Sequence, residues 1–223
     1  MTVNIEDYVK KKKPKPVELR FGVEIECGVS NRPSLPGGWT HSDDGSIHTS
    51  LDSMEIKTVG PYSSNFDSFV HDLQAILDSI ERKVVNDSCG FHVHISFDDR
   101  YYHQLLCSWN FYNYFMKRYD KTFPGYKFQD RKHKDYCKAF ANYENFVGAV
   151  SHQVAVHDRD SCRYFAINHC YTYHGTIEFR IFPGSVSVPE IKRMLKFLFD
   201  VINEYIHLDK YNNDTYTLDR GDL

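Results

Sequence analysis

The stretch Val23-Glu24-Ile25-Glu26-Cys27 decides the prediction of the fold, because apolar and acidic residues alternate along it. Successive side chains of a β-strand point to opposite faces of the sheet. A strand here therefore sends its apolar side chains into a core and both glutamates to the opposite face.

Two later stretches repeat this alternation with other charged residues. They are Phe91-His92-Val93-His94-Ile95 and Ile177-Glu178-Phe179-Arg180-Ile181. If the three strands share one sheet, its non-core face carries three carboxylates, two imidazoles and one guanidinium. Any one of these motifs alone is typical of a solvated strand face, but the three together indicate a functional site.

The remaining patterns indicate helices that cover the core face of this sheet. Apolar residues recur at three- and four-residue spacing over residues 66–80, 101–119 and 191–205, as in amphipathic helices. Residues 163–168 and 176–182 predict a hairpin, with His174-Gly175 as the turn signal. The order of elements predicts an α+β fold, with helices packed on one face of a mainly antiparallel sheet.

The chain has 223 residues, of which 41% are hydrophobic, and this suffices for the core of one domain. We assign the domain to residues 17–208. Residues 1–16 end in the basic run Lys10-Lys11-Lys12-Lys13-Pro14-Lys15-Pro16 and are predicted to form a flexible arm. Residues 209–223 are predicted to form a polar tail.

Charge and targeting signals narrow the class of protein. The 27 basic residues nearly balance the 30 acidic ones, so no global field predicts binding to nucleic acid or membrane. The sequence shows no signal peptide and no apolar run of about eighteen residues, as a membrane span would need. The six cysteines include no C-x-x-C pair and are interpreted as reduced core thiols. We therefore expect a cytoplasmic protein.

The carboxylates of the non-core face indicate a divalent cation. Glutamates brought together in a partly desolvated site repel one another, and a bound cation removes that cost. Oxygen-rich ligand sets suit Mg²⁺ or Mn²⁺, whereas Zn²⁺ prefers cysteine and histidine. Magnesium sites keep positions open for substrate phosphates, and Arg180, with Arg163 on the neighbouring strand, can bind a phosphoryl group bidentately. The glutamates concerned are Glu24, Glu26, Glu55 and Glu178.

A set of short motifs, in order, resembles those of the amidoligase family. That family is similar to the carboxylate–amine ligases typified by glutamine synthetase and glutamate-cysteine ligase. The resemblance spans roughly residues 19–200. The motifs are Phe21-Gly22-Val23-Glu24-Ile25-Glu26, Asp44-Gly45-Ser46, Glu55-Ile56, Cys89-Gly90-Phe91-His92-Val93-His94, Arg163-Tyr164-Phe165-Ala166-Ile167-Asn168 and Thr176-Ile177-Glu178-Phe179-Arg180.

The resemblance implies a fold like the catalytic domain of glutamine synthetase, with a curved sheet. It also implies an ATP-dependent ligase that forms amide bonds through an acyl phosphate, with two or more Mg²⁺ or Mn²⁺ ions. The ligands implied for the metal nearest the ATP phosphates are Glu24, His92 and Glu178. Those implied for the metal nearer the acceptor are Glu26, Glu55 and Asp44.

The resemblance further implies roles for residues that contact the nucleotide and the acyl phosphate. His94 is similar in position to the histidine that contacts nucleotide phosphate, and Arg180 to the arginine that steadies the acyl phosphate. Arg163 and Asn168 are further candidates for nucleotide binding. Together with Arg180, Glu55 and Asp44 are the candidate catalytic residues.

Several assignments remain open at this point. Lys57 falls on the same predicted face as Glu55 and could neutralise it in place of a metal. Asp43 and Asp44 precede Gly45, so either could serve turn chemistry instead. Asp43 or Glu55 could deprotonate the incoming ammonium. Residues 121–134 are predicted to form a loop that could close over the site, and residues 136–149 a further helix.

Two other functions are compatible with the same residues. Paired carboxylates with histidines also build two-metal hydrolases or phosphodiesterases. A catalytically inactive binding module of the same fold is the third possibility. For the ligase, the expected substrates are a carboxylate and an amine on small molecules, amino acids or peptides, while their identity and the oligomeric state stay open.

Overall fold

The computed structural model describes residues 17–64, 66–155, 164–170 and 174–216. The predicted arm and Arg163 lie outside these residues. Within them the strands are β1 (Arg20–Val29), β2 (Trp39–Asp43), β3 (Asp52–Thr58), β4 (Tyr62–Ser63), β5 (Lys83–Val84), β6 (Gly90–Ser96), β7 (Ile167–Asn168) and β8 (Ile177–Pro183). They form one open, curved sheet of order β2-β3-β1-β6-β8-β7, and β4 and β5 also pair with β1. Each of these strand pairs is antiparallel.

Six helices lie in the part of the chain that the structure describes. They are α1 (Asp67–Asp78), α2 (Arg100–Leu106), α3 (Trp109–Thr122), α4 (Tyr126–Arg131), α5 (Tyr143–Ala155) and α6 (Val188–Tyr216). The last helix thus continues past residue 208, where the domain was predicted to end. None of the described helices is both long and apolar enough to cross a membrane.

The helices cover one face of the sheet, as the alternation predicts. Phe21 of β1 is fully buried, and its ring lies 5.1 Å from that of Phe69 in α1 and 5.2 Å from that of Phe199 in α6. Phe179 of β8 packs at 5.2 Å against Phe115 of α3. This face of the sheet is therefore the core. Burial of each such side chain contributes about 1.5–3 kcal/mol to the stability of the fold. The α+β class with a mainly antiparallel curved sheet is confirmed.

The predicted hairpin forms between β7 and β8. Asn168 pairs with Glu178 and Ile167 with Phe179. Gly175, in the predicted turn, has a φ of 65°, a conformation that glycine adopts without steric cost. The hairpin brings the amide of Asn168 next to the charged face of β8.

The helix predicted over residues 101–119 is wrong as one element, because it is divided into α2 and α3. Ser108 lies between the two helices in an extended conformation, and its hydroxyl accepts a hydrogen bond from the Phe111 N–H at 3.1 Å. A serine in this role begins a new helix. The apolar stripe continues through the break and therefore concealed it.

Residues 121–134 do not form the predicted loop. They contain α4, in which Phe128 and Arg131 are buried, and α4 packs against β8. The Tyr119 hydroxyl donates a hydrogen bond to the Phe128 carbonyl at 3.1 Å. The prediction that this segment closes over the site stays a prediction. The helix predicted from residue 136 begins only at Tyr143.

The cysteines that the structure describes are free thiols, in agreement with the prediction. Cys27, Cys89, Cys137 and Cys170 are buried and Cys107 is half-buried. Cys162 lies outside the described residues.

Candidate functional site

Strand register brings the two glutamates of β1 together with charged residues of both neighbouring strands. Glu24 lies opposite Lys57 of β3 on one side and His92 of β6 on the other. Glu26 lies opposite Glu55 of β3. These side chains therefore form rows across the face of the sheet that the helices leave uncovered.

The β8 side of the same face holds the remaining charged residues. His94 of β6 lies opposite Glu178 of β8, which in turn lies opposite Asn168 of β7. Arg180 follows two positions later on the same side of β8. Its Nη1 is 2.5 Å from Glu178 Oε1, and its Nε donates to the Tyr136 carbonyl at 3.4 Å.

These rows open onto one pocket of about 420 Å³. This volume is in the usual range for small-molecule sites. Every described residue that the resemblance assigns to metal binding, nucleotide binding or catalysis lines this pocket. They are Glu24, Glu26, Asp44, Glu55, His92, His94, Asn168, Glu178 and Arg180.

One group of possible metal ligands consists of Glu24, His94 and Glu178. One oxygen or nitrogen from each side chain lies within 4.8 Å of the others. His94 Nε2 is 3.4 Å from Glu24 Oε1 and 3.9 Å from Glu178 Oε1. Its Nδ1 is 3.0 Å from the Thr176 hydroxyl, which fixes the ring and directs Nε2 toward the two carboxylates.

A second group consists of Glu26, Asp44 and Glu55, again within 4.8 Å of one another. Glu26 Oε2 accepts a hydrogen bond from the Gly90 N–H at 2.5 Å. Asp44 Oδ1 accepts from the N–H and hydroxyl of Ser46 at 2.8 and 2.7 Å. Both carboxylates are thus oriented through one oxygen, so the other oxygen is available to a cation. The turn chemistry considered for Asp44 exists and coincides with its place in the pocket.

His92 lies between the two groups and is 2% exposed. Its Nδ1 is 3.1 Å from Glu24 Oε2 and 3.7 Å from Glu178 Oε1, while its Nε2 is 3.6 Å from Glu26 Oε1. The register of β6 against β8 shifts between Phe91 and Val93, so His94 is the histidine opposite Glu178. His92 and His94 each lie within 4 Å of Glu24 and Glu178, so either can supply the imidazole ligand: the cross-strand position and the first group indicate His94, whereas the resemblance implies His92.

The ionisation of the pocket carboxylates follows from their neighbours. Burial alone would raise the pKa of Glu24, but its hydrogen bonds to His92 and His94 outweigh burial and lower the pKa. Burial likewise acts to raise the pKa of Glu178, but the charges of Arg180, His94 and His92 together outweigh it, so this pKa is also lowered.

Glu55 shows the opposite shift. Its burial and the charge of Glu24 raise its pKa, despite the ammonium of Lys57 at 2.5 Å from Oε1. The ion pair considered from the sequence is therefore present. In this ion pair the Lys57 ammonium binds Glu55, which is one of the three carboxylates of the second group.

The pocket also includes residues that the sequence patterns did not indicate, among them Tyr136, Tyr164 and His169. They come from connecting segments, where no periodicity tells which way a side chain points. Burial lowers the pKa of His169 to about 4. Tyr164 was quoted within a motif but was given no role.

One of the described residues considered for the site does not join it. Asp43 is exposed, lies 3.3 Å from Arg32 and does not line the pocket. Arg163 lies outside the described residues.

Comparison of the chain with protein-family models, with characterised proteins and with solved structures found no match. A function for the chain must therefore be inferred from its own residues and their chemistry.

Proposed function

We propose that this chain is an ATP-dependent carboxylate–amine ligase of the amidoligase type. The observation that supports it best is the convergence of separately predicted charged residues on one pocket of about 420 Å³. That pocket offers two carboxylate-rich ligand groups and an arginine beside one of them. Phosphoryl transfer depends on such positioning and charge neutralisation.

The ligand groups fit Mg²⁺ or Mn²⁺ better than other metals. The first provides two carboxylates and one imidazole, and the second provides three carboxylates. Hard oxygen donors suit these ions, while neither group offers the thiolates that favour zinc. When bound, the ions would neutralise the phosphate oxygens and the clustered carboxylates.

The reaction joins a carboxylate to an amine in two steps. A carboxylate oxygen attacks the γ-phosphorus of ATP and ADP leaves, which gives an acyl phosphate. The ammonium first gives up one proton; the neutral amine nitrogen then attacks the acyl carbon, phosphate leaves with its electron pair, and the nitrogen loses one further proton as the amide forms. Both steps require a site that orients anions and limits access of water.

The side chains of the pocket suit these requirements. Arg180 is buried, and its fork is held beside Glu178 and the Tyr136 carbonyl, so it can steady a phosphoryl group with little loss of side-chain freedom. Asn168 donates to Glu178 Oε2 at 2.7 Å and fixes that carboxylate from the other side. Glu55 lines the pocket whereas Asp43 does not, so we assign proton acceptance from the ammonium to Glu55.

The test is a coupled assay with Mg²⁺, ATP and mixtures of amino acids or peptides. ADP and phosphate should appear only when a carboxylate and an amine substrate are both present. Turnover of a phosphoester or amide without nucleotide would instead indicate a hydrolase.

A binding measurement covers the case in which the right substrates are missing from the mixture. Mg²⁺ with a non-hydrolysable ATP analogue at about 100 times its Kd should stabilise the protein by about 2.7 kcal/mol, or about 5–10 °C in Tm. Glu178→Gln should strongly reduce this shift, because it weakens metal binding. Absence of any shift in the unmodified protein would exclude the ligase and leave the hydrolase or the inactive module.

A further inference from the structure

Lys57 differs from the other cation of the pocket in how it is held. Its Nζ lies 2.5 Å from Glu55 Oε1, and its side chain is 35% exposed. The Arg180 side chain is only 11% exposed and is fixed by Glu178 and by a main-chain carbonyl. A lysine has a flexible stem and a compact charge, so Lys57 can change partner without disturbing the sheet.

The carboxylate that Lys57 occupies belongs to the second ligand group. Glu55 lies within 4.8 Å of Glu26 and Asp44 in that group. Lys57 is also the cross-strand neighbour of Glu24, a member of the first group. An ammonium at this position partly neutralises the carboxylates that a divalent ion would bind, and it would repel that ion.

The charges of the pocket indicate what Lys57 would do after a metal binds. The pocket is lined by five carboxylates but by only one lysine and one arginine. If the histidines are left out of the count, three negative charges have no positive charge to balance them. The two cations lie on β3 and β8, with β1 and β6 between them, which is roughly 14 Å across three strand spacings. Arg180 can therefore serve only one end of the pocket, and Lys57 is the cation available to an anion at the other.

We propose that the Lys57 ammonium and a divalent cation compete for Glu55, and that the entering metal releases Lys57 to bind an oxyanion of the ligand. The inference rests on the proposed function, because it assumes that the second group binds metal. The oxyanion is a carboxylate or a phosphate, both of which an ammonium binds in the same way. Since coupling between two ligands is reciprocal, the oxyanion should strengthen binding of the second metal, and the metal should strengthen binding of the oxyanion.

The experiment measures Mn²⁺ binding by calorimetry, with and without inorganic phosphate or acetate. Wild type should bind one Mn²⁺ ion more tightly than a second one. One of the two anions should increase the affinity for the second ion. The anion that does so identifies the chemistry that Lys57 accepts. Lys57→Met should tighten the second Mn²⁺ by about fivefold to tenfold without any anion, since an ion pair of this exposure is worth a modest free energy. It should also abolish the effect of the anion.

Two further variants control for charge and for loss of any lysine. Lys57→Arg keeps the competing cation and should bind the second Mn²⁺ within about twofold of wild type, as expected for an unchanged ion pair. Lys127→Met removes an ammonium that lies 2.7 Å from Glu190, away from the pocket, and should change nothing. The Tm of each variant confirms that it is folded.

The outcomes separate this inference from the proposed function. If wild type binds two Mn²⁺ ions but Lys57→Met binds the second no more tightly, the competition is overturned and the ligase proposal stands. If wild type binds no Mn²⁺ with or without anion, both are overturned.

Discussion

Ile177 and Glu178 are adjacent in β8 but lie on opposite faces of the sheet, so their substitution separates folding from ligand binding. Ile177 is fully buried in the core. Ile177→Ala removes buried methyl and methylene groups and should lower the free energy of unfolding by about 2–5 kcal/mol. For a chain of this length that corresponds to a decrease in Tm of about 4–20 °C. Below its Tm, the variant should bind Mn²⁺ within about threefold of wild type, because its pocket is intact.

Glu178→Gln should affect metal first and stability second. The carboxylate lies 2.5 Å from Arg180 Nη1 through Oε1 and accepts from Asn168 at 2.7 Å through Oε2. Glutamine keeps the shape but leaves the buried guanidinium without its carboxylate, which should cost about 1–3 kcal/mol. Repulsion among the pocket carboxylates alone predicts that the neutral glutamine stabilises the metal-free fold, but the pairing of Glu178 with Arg180 reverses the sign. Loss of a ligand charge should weaken Mn²⁺ binding by about 10- to 100-fold.

Urea denaturation and Mn²⁺ titration of the same preparations measure both effects. Ile177→Val is the matched control in the core, with an expected cost of about 0.5–1.5 kcal/mol and unchanged metal binding. The two-faced interpretation of β8 would be refuted if folded Ile177→Ala lost Mn²⁺ binding as Glu178→Gln does. It would also be refuted if Glu178→Gln bound Mn²⁺ normally.

Three further predictions concern single contacts. A Cβ at Gly90 would lie 2.5 Å from both His92 Nε2 and Arg131 Nη2. Gly90→Ala should therefore lower the free energy of unfolding in urea by about 1–3 kcal/mol and weaken Mn²⁺ binding. A variant with the stability and the Mn²⁺ affinity of wild type would contradict this close packing around Gly90. The Tyr119 hydroxyl lies 3.1 and 3.2 Å from two main-chain carbonyls, which share its single proton, so Tyr119→Phe should cost about 1–3 kcal/mol without changing Mn²⁺ affinity. The pKa of His169 is lowered to about 4 in the folded protein. Between pH about 6.5 and 4 the unfolded chain therefore binds more protons than the folded chain does. The free energy of unfolding should fall by roughly 3 kcal/mol as the pH decreases through that window. His169→Gln should make denaturation midpoints less sensitive to pH there, and an unchanged pH profile would refute this.

The alternation of apolar and charged residues was sufficient to predict the faces of the central strands. Ile25, Val93 and Phe179 are buried against the helices, while Glu24 and Glu178 line the pocket. This follows because a strand has a fixed side-chain period of two, whatever its neighbours are. The same rule explains why Arg180 was assigned to the pocket.

Connecting segments could not be predicted in the same way. Tyr136 places its carbonyl against Arg180, and Tyr136 itself lines the pocket, but it lies in an irregular segment between α4 and α5. The break at Ser108 and the burial of Phe128 likewise depend on tertiary contacts. No local period encodes such contacts, so the helix boundaries there were wrong.

The two histidines of β6 show where strand alternation stops being informative. His92 and His94 point to the same face, so the sequence allows either of them to join Glu178. The choice depends on how β6 is aligned with β8, and that alignment shifts between Phe91 and Val93. As a result His94 lies opposite Glu178, while His92 lies between Glu24 and Glu26 and contacts both ligand groups. His94→Ala should therefore weaken one Mn²⁺ site selectively, whereas His92→Ala should weaken both, and calorimetry that found the reverse would show that the register does not determine the ligands.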